Sequence, residues 1–149
     1  WLGLDDGHSP LAEYHPGADW LREHGGDPAK AKGVEIGSAA RFLKADREQP
    51  YVLLHEFAHA YHDRVLGFEH PGILAAYAAA GASGAYDAVL RSTGKPERHY
   101  ALTDAKEYFA EGTEAWFGVN DFYPFVRAEL ERHDPRLAGL LAELWGRVN

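Results

Sequence analysis

The stretch QPYVLLHEFAHAYHDRVLG, residues 49–67, organises the chain. Its apolar residues supply enough surface to bury one side of a helix. Pro50 suits the first turn of such a helix, where its missing N–H costs nothing, and Gly67 is a suitable stop. The pattern therefore predicts a buried helix between Pro50 and Gly67.

This helix carries an H-E-x-x-H pattern, formed by His55, Glu56, Phe57, Ala58 and His59. Residues four apart lie on one face of a helix, so His55 and His59 can direct two imidazoles at one metal ion. Glu56 directly follows the first of them and can act as general base on the attacking water. The alternative interpretation is a buried helix whose two histidines are satisfied by hydrogen bonds.

The composition limits the kind of metal site and the kind of partner. The 149 residues fit a single domain, residues 1–149, and a hydrophobic content of 46% fits a globular protein. A net charge of −8 argues against nucleic acid or an anionic membrane as partner, and no apolar run is long enough to span a bilayer. Because there is no Cys, any metal must be held by His and carboxylates, a ligand set typical of catalytic zinc sites.

The start of the chain bears on its compartment. The sequence has no Met and opens at Trp1, so we expect that a signal peptide or another upstream segment has been removed. This favours a secreted protein, although the sequence does not identify the compartment. We expect a monomer.

The remaining patterns predict a mostly helical α+β domain with a small sheet. Val34, Glu35 and Ile36 are the best strand candidate, because they alternate and are bounded by glycines. We expect this strand to be an edge that pairs with extended substrate, with a plain structural strand as an equal alternative. Residues 85–91 are predicted to be helical.

A zinc site of this sort needs a third protein ligand, and several residues are candidates. The spacings of metzincins and thermolysin-like enzymes are excluded, because they would place the ligand at Val65 or Ala79. The remaining candidates are His62, Glu69, His70, Glu107 and Glu111.

These candidates differ in their expected surroundings. His62 lies in one row with His55 and His59, which fits tetrahedral geometry poorly, so we interpret it as a residue of the helix C-terminus, where a cation is favourable. Glu69 and His70 sit in a turn that faces water, and His8 and His15 are expected at the surface.

Glu107 and Glu111 lie one turn apart on a predicted helix that is amphipathic enough to pack against the first. One could bind the metal while the other accepts a hydrogen bond from a ligand histidine. A solvated acidic face is the alternative interpretation of this pair. Neighbouring apolar residues favour partial burial.

Two segments, HEFAH and the stretch from Tyr100 to Glu111, resemble the gluzincin metallopeptidases of the anthrax lethal factor catalytic-domain type. That family has HEFGH, and later a Tyr seven residues ahead of the ligand Glu within N-E-A-E-F-F-A-E. This chain departs from it with Ala58 for Gly, and with Asp104 and Lys106 for Asn and Ala. The family's large substrate-recognition and docking domains have no counterpart here, so its substrates are not implied.

The resemblance implies a zincin-like fold with a central active-site helix, and one Zn²⁺ per chain. By that likeness His55, His59 and Glu107 are the zinc ligands and Glu56 is the general base. Tyr100 is implied to donate a hydrogen bond to the transition state, and Glu111 to support a ligand.

These features together predict a zinc endopeptidase that hydrolyses peptide bonds of a peptide or protein through a zinc-activated water. One alternative is a catalytically inactive, zincin-like module that binds peptides. Retention of Glu56 and Tyr100 speaks against it, because a pure binder needs neither residue. A second alternative is a metal-dependent amidohydrolase acting on a non-peptide substrate.

Overall fold

Helices dominate the computed structural model, which describes residues 1–3, 10–45 and 49–146. The α-helices of these residues are α1 Ala18–Glu23, α2 Ala39–Lys44, α3 Val52–Tyr61, α4 Pro71–Ser83, α5 Ala105–Phe117, α6 Arg127–His133 and α7 Pro135–Leu144. A π-helical turn, His62–Leu66, continues α3, and 3-10 helices span Pro28–Lys30 and Tyr100–Leu102. Every helix in the described ranges is too short or too polar to span a bilayer.

Two small antiparallel sheets accompany the helices. In the first, β1 (Glu13–Tyr14) pairs with β2 (Val34–Glu35), with Glu13 opposite Glu35 and Tyr14 opposite Val34. In the second, β3 (Val89–Leu90) pairs with β4 (Pro96–Glu97). The prediction of a mostly helical chain with a little sheet is confirmed at this coarse level, with two sheets in place of one. The helix expected over residues 85–91 is wrong, because this segment enters β3.

The strand predicted as a substrate edge has neighbours on both sides. β2 pairs with β1, and beyond it Ile36 N donates to Trp1 O at 3.0 Å while Gly3 N donates to Ile36 O at 2.8 Å. The expectation of a free edge at Val34, Glu35 and Ile36 is therefore wrong, because the N-terminal segment occupies the side expected to be open. The segment that borders the cleft described below is β1.

The core is built around α5. Ten of its 13 residues are buried, whereas α3 buries only His55 and Ala58. On one side α5 packs against α3, and on another it approaches α7 so closely that a Cβ atom at Gly112 would lie 2.6 Å from Leu137 Cδ2. The helix predicted to carry the two histidines is thus present as α3. It lies beside α5, which is the central helix of the core.

The ends of α3 agree only in part with the sequence signals. The helix begins at Val52, with Tyr51 as its N-cap, so Pro50 precedes the helix. At the other end the π-helical turn ends at Gly67, whose φ of 80° favours glycine, and the predicted stop is confirmed.

Two histidines are buried, contrary to what the sequence led us to expect. His62 packs between the rings of Phe68 and Phe109, and burial lowers its pKa to about 4. It is therefore a neutral core residue, and the prediction that its positive charge is favourable at the helix C-terminus is wrong. His15 is also buried, with Nε2 3.0 Å from Glu35 Oε2. His8 lies outside the described residues.

Candidate metal centre

The two imidazoles of α3 meet the first turn of α5. Asp104 is the N-cap of α5, and its side chain accepts hydrogen bonds from Lys106 N at 2.7 Å and Glu107 N at 3.0 Å. This cap fixes where the helix begins and so directs Glu107 toward α3. Local sequence signals therefore set where Glu107 lies on α5 and which face of α3 carries His55 and His59, and the packing of the two helices brings them together.

The three side chains converge through single atoms. Glu107 Oε2 lies 2.9 Å from His55 Nε2 and 3.4 Å from His59 Nε2, and the three candidate ligand atoms are all within 4.8 Å of one another. Tetrahedral zinc separates neighbouring ligand atoms by about 3.3 Å, given bonds of about 2.0–2.1 Å. The two distances from Glu107 Oε2 are each within a few tenths of an ångström of this separation.

A buried carboxylate orients the first imidazole from behind. Glu114 Oε1 lies 2.7 Å from His55 Nδ1, the ring nitrogen that faces away from Glu107. Glu111, expected in this role, is farther away, with Oε1 at 3.6 Å from the same nitrogen. The sequence signal for Glu114 was its position seven residues after Glu107, two turns along the same face.

Burial and charge set the protonation of these groups. Burial opposes ionisation of Glu107, but hydrogen bonding to His55 and His59 outweighs it and lowers the pKa of this carboxyl to about 2. Burial and the neighbouring Glu114 raise the pKa of Glu111 to about 8. The carboxylate at the convergence point therefore stays ionised.

Glu56 and Tyr100 line the same cleft as the converging atoms. Glu56 Oε2 accepts a hydrogen bond of 2.6 Å from Tyr14 N, and burial raises the pKa of its carboxyl. Tyr100 is 48% exposed, and its ring centroid lies 6.5 Å from that of His55. The general base and the hydroxyl donor expected from the sequence therefore lie beside the same opening.

The cleft is about 430 Å³ in volume and runs between β1 and the two helices. Residues 10–14 form one wall, whereas Val34, Glu35 and Ile36 are not among its lining residues. A second lobe of about 490 Å³ adjoins it and shares four wall residues with the first: Gln49, Tyr100, Glu111 and Asp121. We call the two lobes together the groove.

Within the described ranges two groups of His and Glu side chains could hold a metal ion. The first consists of His55, His59 and Glu107, and the second of His55, Glu111 and Glu114. The second uses the Nδ1 side of His55, where Glu114 already lies at hydrogen-bond distance. The first group leaves that contact intact and faces the groove, so it is the better candidate.

Comparison of the chain with protein-family models, with curated proteins and with solved structures gives no match. The resemblance to gluzincins therefore depends on the residues and spacings given above and remains a hypothesis.

Proposed function

We propose that this protein is a zinc-dependent endopeptidase of the gluzincin type, with a zincin-like fold. The observation that carries the proposal is the convergence of His55 Nε2, His59 Nε2 and Glu107 Oε2 in a groove that Glu56 and Tyr100 also line. Three protein ligands with an open side are the arrangement found in catalytic zinc sites.

His55, His59 and Glu107 would hold the ion, and Glu114 would keep the His55 ring oriented. A zinc ion held there would polarise the scissile carbonyl and lower the pKa of a coordinated water toward about 7. Both contributions come from the metal, while the proton transfers and the positioning of the peptide fall to the protein.

Glu56 would take one proton from the water as its oxygen bonds to the carbonyl carbon. When the C–N bond breaks, the same carboxyl would return the proton to the departing amine, leaving a new carboxyl group and a new amino group. The Tyr100 hydroxyl would donate a hydrogen bond to the former carbonyl oxygen, where negative charge develops. The raised pKa of Glu56 suits a group that must both accept and release a proton.

The second lobe that adjoins the cleft supports internal cleavage of a chain. A substrate bound at the convergence point in the first lobe would have further room in the second. This favours a peptide or protein over a small amide, although it does not identify a sequence preference.

The test is the cleavage of a proteome-derived peptide library by the zinc-loaded protein, with cleavage sites identified by mass spectrometry. We expect hydrolysis at internal bonds, and its loss in zinc-loaded Glu56→Gln, whose amide is nearly isosteric but cannot take the proton. A wild-type protein that binds zinc and peptides but cleaves none would instead favour the peptide-binding module. Cleavage by Glu56→Gln at the wild-type rate would contradict the role of Glu56.

A further inference from the structure

Tyr14 contacts the histidine-bearing helix and its π-helical continuation at two points that are two turns apart. Its main-chain N–H donates to Glu56 Oε2 at 2.6 Å, and its hydroxyl donates to Asp63 Oδ2, also at 2.6 Å. Glu56 and Asp63 are seven residues apart, so they lie on one face of α3 and its π-helical continuation. One residue of β1 therefore bridges the expected general base and a carboxylate two turns away.

Asp63 is itself fixed from a third direction. Lys32 Nζ forms an ion pair with Asp63 Oδ2, and Lys32 N donates to His15 O at 2.7 Å beside the β1–β2 pair. Burial opposes ionisation of Asp63, but Lys32 and Tyr14 outweigh it and lower the pKa of this carboxyl. Asp63 is therefore a charged acceptor, which strengthens the hydrogen bond from the Tyr14 hydroxyl.

These contacts restrict the carboxylate of Glu56. Because Oε2 is occupied by Tyr14 N, Oε1 is the oxygen left to meet a proton donor in the groove. A general base must be held within hydrogen-bond reach of its proton, and neighbouring hydrogen bonds supply that restraint. We propose that Tyr14 is a positioning residue for Glu56, and that Asp63 acts by fixing Tyr14. The inference rests on the proposed function, since it assigns Tyr14 and Asp63 to the same proton transfer.

The alternative is that these contacts only stabilise the packing of β1 against α3. A purely structural role lowers the melting temperature but leaves kcat unchanged at temperatures well below the melting temperature. A positioning role lowers kcat while KM and zinc content stay unchanged, because the Tyr14 hydroxyl bonds to Asp63 and not to a metal ligand or, on this proposal, to the substrate.

The first experiment needs no substrate. Amide hydrogen exchange at Tyr14, followed by NMR, reports whether its N–H is held in solution. We expect about tenfold faster exchange in Glu56→Ala than in wild type, as loss of one hydrogen bond predicts. The His15 amide, which donates to Gly33 O at 3.0 Å within the sheet region, is the internal control and should be unchanged. Equal Tyr14 exchange rates in the two proteins would overturn the inference.

The second experiment measures kcat and KM for a peptide found in the library. Tyr14→Phe and Asp63→Ala should each lower kcat roughly three- to tenfold. The double variant should be no slower than the slower single variant, because both substitutions remove the same hydrogen bond between Tyr14 and Asp63. Tyr61→Phe is the matched control. It removes a tyrosine hydroxyl from α3, where that hydroxyl donates to Leu144 O at 2.8 Å. We expect its kcat to equal that of wild type.

The two proposals fail in different ways. If wild type cleaves no peptide, the proposed function is contradicted and this inference with it. If wild type cleaves and Tyr14→Phe keeps the full kcat, or the two single effects multiply in the double variant, only the inference is contradicted.

Discussion

Glu107 is the residue on which the proposed metal centre depends most. It is the only carboxylate of the first His/Glu group, and its Oε2 faces both imidazoles. We expect Glu107→Ala to lose zinc at stoichiometric protein concentrations, because two histidines alone leave the set incomplete.

The control for this variant is Glu114→Gln, which should retain zinc with roughly 10–100-fold lower affinity, since it alters only the group behind His55. Zinc content is measured by metal analysis after dialysis against a chelator series. Full, tight zinc occupancy in Glu107→Ala would exclude Glu107 as a ligand.

Tyr100 tests the proposed stabilisation of the transition state. The Phe variant removes only a hydroxyl from a half-exposed ring, so we expect stability and zinc content to change little. If the hydroxyl meets the developing negative charge, kcat should fall by about 10²–10³. Steady-state kinetics and a thermal melt of the same sample separate this outcome from a packing role, in which only the melting temperature moves.

At the residue scale, the sequence was most informative where spacing along one helix decides the geometry. His55 and His59 share a face because they are four residues apart, and no tertiary contact is needed to know it. Glu114 was missed because the choice between it and Glu111 depends on how α5 is rotated against α3. His62 was misjudged because only packing from Phe68 and Phe109 buries it.

At the scale of elements, Asp134 joins α7 to the central helix. Its Oδ1 caps α7 by accepting from Leu137 N at 3.0 Å, and its Oδ2 accepts from the Tyr108 hydroxyl at 2.6 Å and the Tyr86 hydroxyl at 3.1 Å. We expect Asp134→Ala to lower the free energy of unfolding by about 3 kcal/mol, from a lost cap and buried tyrosine hydroxyls left without a partner.

The matched control is Asp27→Ala, which removes an exposed cap on a 3-10 helix and should cost no more than about 1 kcal/mol. Urea denaturation monitored by circular dichroism gives both values. Equal losses in the two variants would show that the tyrosine contacts contribute little.

Elements were predictable where they are long and have clear end signals in the sequence. They were less predictable where a strand pairs with residues far away along the chain. Gly67 marks the end of the histidine helix, as a left-handed glycine should. The position of β2 depends on the N-terminal segment, which lies more than 30 residues earlier, so no local pattern could reveal that both its sides are occupied. The same holds for β3. The composition of residues 85–91 favours a helix, but Val89–Leu90 pairs with β4 instead.

For the whole molecule, buried neutral histidines predict a loss of stability in mild acid. His62 has a pKa of about 4 in the folded chain, below its ordinary value near 6.5. Between these two pH values the unfolded chain binds the extra proton, so the free energy of unfolding falls as the pH falls. The slope approaches about 1.4 kcal/mol per pH unit for one such group.

His62→Leu removes this titration and should show a shallower fall between pH 6.5 and 4 than wild type. Denaturation in urea with excess chelator keeps metal loss out of the comparison. His99, whose pKa burial lowers to about 3, remains in both proteins and contributes equally. Parallel pH profiles for wild type and His62→Leu would contradict the prediction.

The two adjoining lobes of the groove have a consequence for how a substrate would be selected. A site closed at one end measures distance from a chain terminus, because the terminus must fit against the closing wall. Here a second lobe adjoins the lobe that contains the reacting position, so on this proposal a long polypeptide lies along the groove without presenting an end. The location of a cut would then be decided by local sequence and by how readily a segment of the target unfolds to an extended form.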